Sequence, residues 1–96
     1  MKKVFYVYII TNYKKTTLYT GLTNDMHRRL NEHYQGLIDG FSRQYKCKYL
    51  IYYESFPYIN DAIAREKQIK KYRRSKKEKL IHQFNPEWKF LNNCIF

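Results

Sequence analysis

A β-hairpin at the amino end constrains the fold of this chain more than any other feature. Residues 4–11, VFYVYIIT, are β-branched and aromatic, which predicts a covered strand. The polar segment NYKK, residues 12–15, predicts a turn, and TTLYTG, residues 16–21, predicts the returning strand. The chain is therefore expected to begin with two antiparallel strands.

The length of that turn predicts how the two strands pair. With a loop of residues 12–15, Tyr8 would lie directly opposite Tyr19, and Tyr6 opposite Gly21. Opposed residues share a face of a sheet, so the phenols of Tyr8 and Tyr19 would stand side by side. Aromatic pairs are also common simply because they stabilise sheets, so both a functional and a structural interpretation stay open.

A first helix is predicted directly after the hairpin. Thr23 or Asn24 can supply its N-cap, and Gly36 is well placed to end it. Its apolar stripe repeats every fourth residue and consists of Met26, Leu30 and Tyr34. Arg29 and His33, four residues apart, lie together on the flank of this stripe.

A third strand and a longer helix are predicted in the middle of the chain. The strand covers residues 48–55, KYLIYYES, which are again aromatic and β-branched. The helix covers residues 60–74, and Asn60 or Asp61 is expected to cap it.

The last helix is predicted from a capping-box pattern. Ser75 and Glu78 have the spacing of such a box, so a separate helix is expected to restart there and run to about Phe84. The pair Asn85-Pro86 then ends it. The tail is expected to pack back onto the domain through Trp88, Phe90 and Leu91.

These elements define the expected fold class. Their order, β-β-α-β-α-α, is typical of an α+β domain with helices packed on a small sheet. A chain of 96 residues is large enough for one modest core and too short for two. We therefore expect a single domain over residues 1–96.

The charge of the chain predicts an anionic partner. Nineteen Lys and Arg oppose eight Asp and Glu, for a formal net charge of +11, which favours nucleic acid. An anionic membrane surface is the less favoured partner, because no apolar run approaches the ~20 residues of a membrane span. The apolar run at the amino end lacks a small-residue cleavage site, so a strand is expected there rather than a signal peptide.

Cysteine and histidine patterns predict neither a disulfide framework nor a zinc site. Cys47 and Cys94 lie far apart with no CxxC pair, and the histidines complete no zinc spacing. The chain is therefore expected to be a reduced, cytoplasmic protein with incidental thiols.

A carboxylate is expected on the apolar face of the predicted helix 60–74. The neighbours of Glu66 at helical spacing are Ala62, Ile63 and Ile69. The simplest interpretation is an ion pair with Lys70, worth ~0.3–0.5 kcal/mol. A carboxylate among apolar neighbours otherwise needs a cation, either an arginine or a metal ion. Both interpretations stay open on the residues alone.

The segment 65–79 carries nine Lys or Arg in fifteen residues. Such runs are usually solvated helix faces, but tyrosine and isoleucine interrupt this one at helical spacing, so one face can pack while the other contacts phosphates. The candidate phosphate contacts are Lys67, Lys70, Lys71, Arg73, Arg74, Lys76 and Lys77.

The candidate site combines phenols, one guanidinium and one carboxylate. It contains no carboxylate pair and no nucleophile dyad, which excludes glycosidase and protease chemistry. The set suits phosphodiester hydrolysis with a single metal ion and a phenolic base. A phenol with an ordinary pKa near 10 would need that pKa lowered by a nearby cation to act as the base.

Several short motifs occur in an order and spacing that resemble the GIY-YIG nuclease superfamily, especially its small stand-alone bacterial members. The first naming motif corresponds to Tyr6-Val7-Tyr8 and the second to Tyr19-Thr20-Gly21. YTGLTNDMHRRLNEHYQG is similar to the family's turn and its helix with Arg and His. AIAREKQIKKYRRSKKEKLI is similar to the metal-site helix and the following segment, and NPEW to the C-terminal element. The resemblance spans nearly the whole chain.

The resemblance implies a fold and a role for each site residue. It implies a three-stranded antiparallel sheet flanked by helices, with Tyr8 or Tyr19 forming the general base that activates water. Arg29 would bind the scissile phosphate, and Glu66 would hold one divalent ion, magnesium or manganese. Further site residues would be Asn85, as the family's late asparagine, and His33, whose role the resemblance does not define. A lack of side chain at Gly21 would let the substrate backbone approach closely.

The chain departs from the family pattern at a few positions. Tyr6 replaces the leading glycine of the first motif, and Thr20 replaces the isoleucine of the second. The segment KFLNN after NPEW lacks the aspartate that is often found there. These changes leave both phenols, Arg29 and Glu66 in place.

Together these observations favour a magnesium-dependent endonuclease that hydrolyses DNA, with a role in structure-specific repair or processing. DNA is favoured over RNA as the partner. The alternatives are a non-catalytic nucleic-acid-binding module on the same fold, a basic protein that packs against structured RNA, and, least favoured, a protein bound to membrane surfaces. The preferred DNA structure, nicking or double-strand cleavage, and the oligomeric state stay open.

Overall fold

A three-stranded antiparallel sheet organises the protein, in the strand order β2-β1-β3. The structure is a computed structural model that describes residues 3–38 and 40–94. The strands are β1 (Phe5–Thr11), β2 (Leu18–Thr23) and β3 (Tyr49–Phe56). The helices are α1 (Met26–Tyr34), α2 (Phe41–Gln44), α3 (Ile59–Lys70) and α4 (Arg74–Phe84).

The predicted fold class and the predicted order of the longer elements are confirmed. The structure adds the short helix α2, which the sequence did not predict, between α1 and β3. Within the described ranges, no helix is long and apolar enough to cross a membrane. The cysteines at positions 47 and 94 are both free.

The predicted register of the hairpin is wrong by two residues. Tyr8 pairs with Gly21 rather than with Tyr19, and Tyr19 pairs with Ile10. The loop covers residues 12–17, because Oδ1 of Asn12 accepts hydrogen bonds from the backbone N–H groups of Thr16 and Thr17, at 2.8 and 3.1 Å. These side-chain bonds extend the turn beyond the segment 12–15 that its composition predicted.

The sheet buries both of its faces. On one face Val7 and Ile9 pack against α3 and α4, whose buried residues include Ala62, Ile69 and Ile81. On the other face Tyr8 and Ile10 pack against Met26 and Leu30 of the predicted α1 stripe. The third predicted member, Tyr34, is exposed, and His33 is buried instead. The two helical layers therefore cover opposite faces of the sheet.

Side-chain capping distinguishes α1 from the other helices. Asp25, not Thr23 or Asn24, is the N-cap, and its Oδ1 accepts from the backbone N–H of Arg28 at 3.0 Å. Thr23 instead stabilises the preceding turn, where its Oγ1 accepts from the N–H of Asp25 at 3.0 Å. Gly36, with φ of 71°, ends the helix as predicted.

The predicted caps of the later helices are wrong. Helix α3 begins after Tyr58, so Asn60 and Asp61 lie inside its first turn and neither side chain caps it. Helix α4 begins after Arg73, which places Ser75 inside the helix rather than at a capping box. Tertiary packing of these helices sets their starts, and local capping signals do not.

The end of α4 and the return of the tail are confirmed. Asn85 is the C-cap of α4, and Trp88 and Phe90 pack against the cluster on the α3 side of the sheet. Leu91 packs on the opposite side, and its N–H donates to the carbonyl oxygen of Leu50 at 2.7 Å. The tail is thereby joined to the start of β3.

Candidate active site

The phenol of Tyr8 lies at the centre of the candidate site. It points from the central strand β1 into the face covered by α1, and the residue is 1% exposed. Its ring fills the space above Gly21, where an added Cβ would overlap the oxygen and ring carbons of Tyr8. The packing of the Tyr8 ring thus explains why residue 21 is a glycine. The predicted role of Gly21 in substrate approach stays a prediction.

A chain of buried hydrogen bonds continues from this phenol. The hydroxyl of Tyr8 lies 2.8 Å from Nε2 of His33, which comes from the end of α1. On the other side of the imidazole, Nδ1 lies 3.0 Å from Oγ of Ser42, on α2. His33 and Ser42 are each 3% exposed, so the imidazole is shielded from bulk solvent.

The electrostatics of Tyr8 show which charged groups surround it. Burial raises the pKa of its phenol well above the usual value, and Tyr19 and Glu66 raise it further, while the positive charge of Arg29 lowers it. The net shift in the pKa of Tyr8 in the free protein is therefore upward, opposite to the lowering that a phenolic base needs. Arg29 acts in the expected direction, but the loss of hydration outweighs it.

The same surroundings keep His33 neutral. Burial lowers the pKa of its imidazole to about 4, and the charge of Arg29 contributes in the same direction. At neutral pH the ring therefore has one N–H donor and one nitrogen acceptor.

Arg29 is held at the edge of the site and retains binding capacity. Its side chain is 31% exposed, and Nε lies 3.4 Å from Oε1 of Glu32. In the described part of the chain this buried Nε has no hydrogen-bond partner. The partly exposed guanidinium, rather than the buried Nε, is the part of Arg29 that can bind a phosphate oxygen.

Glu66 lies on α3, which packs on the opposite face of the sheet from α1. It stands between Ala62 and Ile69 as the helical pattern predicted, and its side chain is 19% exposed. The ion pair with Lys70 is present, with Oε2 and Nζ 3.6 Å apart. The carboxylate is therefore partly desolvated and balanced by the ammonium group of Lys70.

The donor set fits a hydrated divalent ion rather than a protein cage. Among residues 3–38 and 40–94 there is no group of three or more His, Cys, Asp or Glu that could hold a metal. Magnesium usually keeps several waters and binds through one or two carboxylates together with substrate phosphates. Glu66 alone meets that requirement on the protein side.

Tyr19 joins the site to an exposed aromatic surface. Its ring centroid lies 5.4 Å from that of His33, and its other neighbour is Phe41, stacked at 6.5 Å and 19°. Phe41 in turn contacts Tyr45 at 4.6 Å, and these two residues are 45% and 44% exposed. Ser42 and Phe41 were missed by the sequence reasoning, because α2 carries no periodic pattern and reaches the site only through the fold.

Asn85 lies at the junction of α4, β3 and the tail. Its Nδ2 donates to the carbonyl oxygens of Ile51 and Lys89, at 3.0 and 2.8 Å. Its Oδ1 accepts from the N–H of Lys89 at 3.1 Å. All three hydrogen bonds join the side chain of Asn85 to backbone groups, which gives this side chain a structural role. Its predicted role in the site stays a prediction.

The predicted phosphate contacts form a basic surface beside Glu66. All are exposed except Lys77, which is half-buried, and Lys70 connects this surface to Glu66. Burial lowers the pKa of Lys77, as do the neighbouring charges of Arg74 and Lys70. Part of the hydrogen-bonding capacity of Arg74 is already used, because its Nη1 donates to the carbonyl oxygen of Thr16 at 2.6 Å. The basic surface consists of Lys67, Lys70, Lys71, Arg73, Arg74, Lys76 and Lys77.

Comparison with known proteins identifies the class to which this fold and site belong. A model of the GIY-YIG catalytic domain matches residues 4–79, and the chain belongs to the GIY-YIG family. Members of this family are nucleases that act on nucleic acids and generally use divalent metal ions, so membership indicates nuclease activity for this chain.

Similar proteins carry the name UPF0213, which states no activity. A UPF0213 protein of Haloquadratum walsbyi is 36% identical over 83 residues, which cover 86% of this chain and 92% of the relative. One of Syntrophus aciditrophicus is 39% identical over 83 residues, covering 85% and 93%. The solution NMR structure of a UPF0213 protein from Bacillus halodurans has a TM-score of 0.59 and 28% identity, with 95% of this chain and 94% of that chain covered.

Proposed function

We propose that this protein is a magnesium-dependent endonuclease that hydrolyses phosphodiester bonds in DNA. The observation that carries the proposal is that both motif tyrosines reach one buried histidine. The hydroxyl of Tyr8 lies 2.8 Å from Nε2 of His33, and the ring centroid of Tyr19 lies 5.4 Å from that of the same imidazole. Arg29 and Glu66, from α1 and α3, both influence the pKa of Tyr8.

The charged residues have complementary tasks in this proposal. Arg29, whose guanidinium is partly exposed, binds the scissile phosphate and balances the charge that develops on it. Glu66 holds one magnesium or manganese ion. When bound, such an ion supplies Lewis-acid charge to phosphate oxygens and orients them. The basic surface beside Glu66 holds the flanking phosphates.

The phenols provide the group that activates water. Tyr8 is buried and hydrogen-bonded to His33, whereas Tyr19 is partly buried and borders the exposed surface at Phe41. One of these two oxygens accepts the proton of the attacking water. Because the phenol of Tyr8 is protonated in the free protein, its own proton would pass to Nε2 of His33 in the same step. Asn85 supports the site indirectly, because it anchors the tail to β3.

A metal-dependent cleavage assay tests this function. Labelled duplex, nicked, flap, forked and single-stranded DNA, together with matched RNA, are incubated with magnesium or with EDTA. Cleavage is expected on at least one DNA and is expected to stop in EDTA. Tyr8→Phe and Tyr19→Phe should separate the two phenols, since loss of the base lowers the rate by about 100-fold or more. Tyr13→Phe, at a residue that is 73% exposed, is the matched control.

Binding measured in parallel separates the alternatives. Tight DNA binding without cleavage in any metal would instead support a binding module on this fold. Tighter binding of RNA than of DNA, with no magnesium-dependent activity, would support an RNA-packing protein.

A further inference from the structure

The side chain of Ser42 contacts the site from a helix that no motif covers. Its Oγ lies 3.0 Å from Nδ1 of His33, and the hydroxyl of Tyr8 lies 2.8 Å from Nε2 of the same ring. The imidazole is therefore held between two hydroxyl groups, and the residues Tyr8, His33 and Ser42 are all buried. The hydroxyl of Ser42 is thus placed to act on the site through His33.

The chemistry of the ring forces the two hydroxyls into opposite roles. A neutral imidazole has one nitrogen that donates and one that accepts, so one hydroxyl must donate to it and the other must accept from it. A phenol is a far stronger acid than an aliphatic hydroxyl and is therefore the better donor. The favoured arrangement has Tyr8 donating to Nε2, and Nδ1–H donating to Ser42.

We propose that Ser42 is a positioning residue of the active site, which fixes the tautomer of His33 by accepting the hydrogen bond from Nδ1–H. With Nδ1 protonated, Nε2 presents its lone pair to Tyr8. The O–H of Tyr8 then points at the imidazole, and its oxygen lone pairs are left to accept from the attacking water. The catalytic part of this inference rests on the proposed nuclease function.

The fold holds Ser42 in place independently of its hydroxyl. The N–H of Cys47 donates to the carbonyl oxygen of Ser42 at 2.8 Å, and the neighbouring Phe41 stacks on Tyr19. Removing the hydroxyl is therefore expected to leave α2 where it is and to change only the partner of Nδ1. A role in packing alone would be met equally well by alanine.

Nitrogen-15 NMR of the imidazole, on the full chain, measures the tautomer directly. The wild-type protein is expected to show His33 as the Nδ1–H form. Ser42→Ala is expected to show a shift toward the Nε2–H form or a mixture, and Ser42→Thr, which keeps a hydroxyl, is expected to keep the wild-type form. Ser75→Ala, at an exposed serine of α4, is the control.

Cleavage kinetics provide the second readout. Loss of an orienting partner behind a functional histidine costs about 10- to 100-fold. Ser42→Ala is therefore expected to lower kcat by about that factor with KM and DNA affinity unchanged, and Ser42→Thr is expected to restore kcat. Ser42→Cys is a size-matched second variant if the alanine protein does not fold.

The outcomes separate this inference from the proposed function. An Nε2–H tautomer in the wild-type protein overturns it without any variant, and so does a tautomer or kcat that Ser42→Ala leaves unchanged. A wild-type protein that cleaves none of the DNAs overturns the proposed function and, with it, the catalytic part of the inference. The wrong tautomer in an active enzyme overturns the role of Ser42 alone.

Discussion

Tyr8 and Gly21 face each other across the β1–β2 pair, and the phenol ring occupies the space in which a side chain at residue 21 would begin. The ring is buried on all sides, and its hydroxyl is bonded to His33. It therefore has little freedom to move aside. The glycine of the second motif and the tyrosine of the first are thus a single packing unit, which has a measurable consequence.

Gly21→Ala is expected to destabilise the protein through Tyr8. Overpacking a filled site costs about 1–3 kcal/mol. In a Tyr8→Ala background the same change meets no ring, so it should be neutral or stabilising by about 0.5–1 kcal/mol, because alanine suits a strand better than glycine. Urea denaturation of the two single variants and the double variant measures this coupling. Additive free energies would show that the two residues do not share the space.

Stability should depend on pH through His33. Its pKa is about 4 in the folded protein against an ordinary 6.5, so between these values the unfolded chain binds more protons. The free energy of unfolding should therefore rise with pH across this window and be lost as the pH falls through it, by at most about 1.4 kcal/mol per unit. Urea titrations from pH 4 to 7 measure this slope.

The matched variant for this prediction is His33→Gln, which removes the titrating ring. Its slope over the same pH window should be smaller than that of the wild-type protein by the contribution of His33. His27→Gln, at an exposed position of α1, is the control substitution. Equal slopes in the wild-type and His33→Gln proteins would contradict the prediction.

Magnesium-dependent cleavage should require the carboxylate of Glu66, whereas the loss of an i,i+4 ion pair alone should not affect it. Glu66 pairs with Lys70 at 3.6 Å, and Glu78 pairs with Arg74 at 3.2 Å, both with i,i+4 spacing. Glu66→Gln should lower cleavage by at least about 100-fold, while Glu78→Gln leaves it near the wild-type rate. Both changes should alter stability by less than about 0.5 kcal/mol, because such surface pairs contribute little.

Magnesium titration of the cleavage rate checks this pair of variants, with DNA affinity and urea denaturation measured in parallel. Glu66→Gln should retain DNA binding, because the basic surface is intact. An unchanged magnesium dependence in Glu66→Gln would remove this carboxylate from the metal site.

The sequence predicted the hairpin but not its register, and the reason is local chemistry. The β-branched runs on both sides of the turn identify the strands. The side chain of Asn12 then extends the loop to residues 12–17 by binding the N–H groups of Thr16 and Thr17. A pattern of apolar and polar residues contains no information on these bonds. The correct pairing, Tyr8 with Gly21, became visible only in three dimensions.

The candidate site, like the hairpin, was predictable from the sequence only in part. The partly buried carboxylate of Glu66 was predictable, because its apolar neighbours have helical spacing. Ser42 was not, because it reaches His33 from α2, a four-residue helix without periodicity. The raised pKa of Tyr8 was also not predictable, since the degree of burial depends on the packing of α1 over the sheet.

The basic surface should set the salt dependence of DNA binding. Lys67, Lys71 and Arg73 are exposed, and each phosphate contact contributes about 0.9 to the log–log slope of affinity against salt on duplex DNA. Replacing all three with alanine should therefore reduce the slope by up to about 2.7 and weaken all sequences alike. Fluorescence anisotropy over a salt series measures this.

The control for the basic surface is a lysine elsewhere. Lys89 lies in the tail, where its Nζ is 3.4 Å from Oε2 of Glu87. Lys89→Ala removes one positive charge without touching the basic surface, and it should leave the slope within experimental error of the wild-type value. If the triple variant kept the wild-type slope, DNA would have to bind through another face.

Asn85→Ala should destabilise the junction between the tail and β3. The change deletes three hydrogen bonds to Ile51 and Lys89 and removes a partner from the carbonyl oxygen of the buried Ile51, which costs about 1–3 kcal/mol. Urea denaturation measures the loss, with Asn31→Ala, at an exposed asparagine of α1, as the control. Cleavage is then compared at a temperature where both variants are folded. A cleavage rate that falls further than the loss of folded protein explains would support the site role that the family resemblance implies for Asn85. Unchanged stability would contradict its structural role.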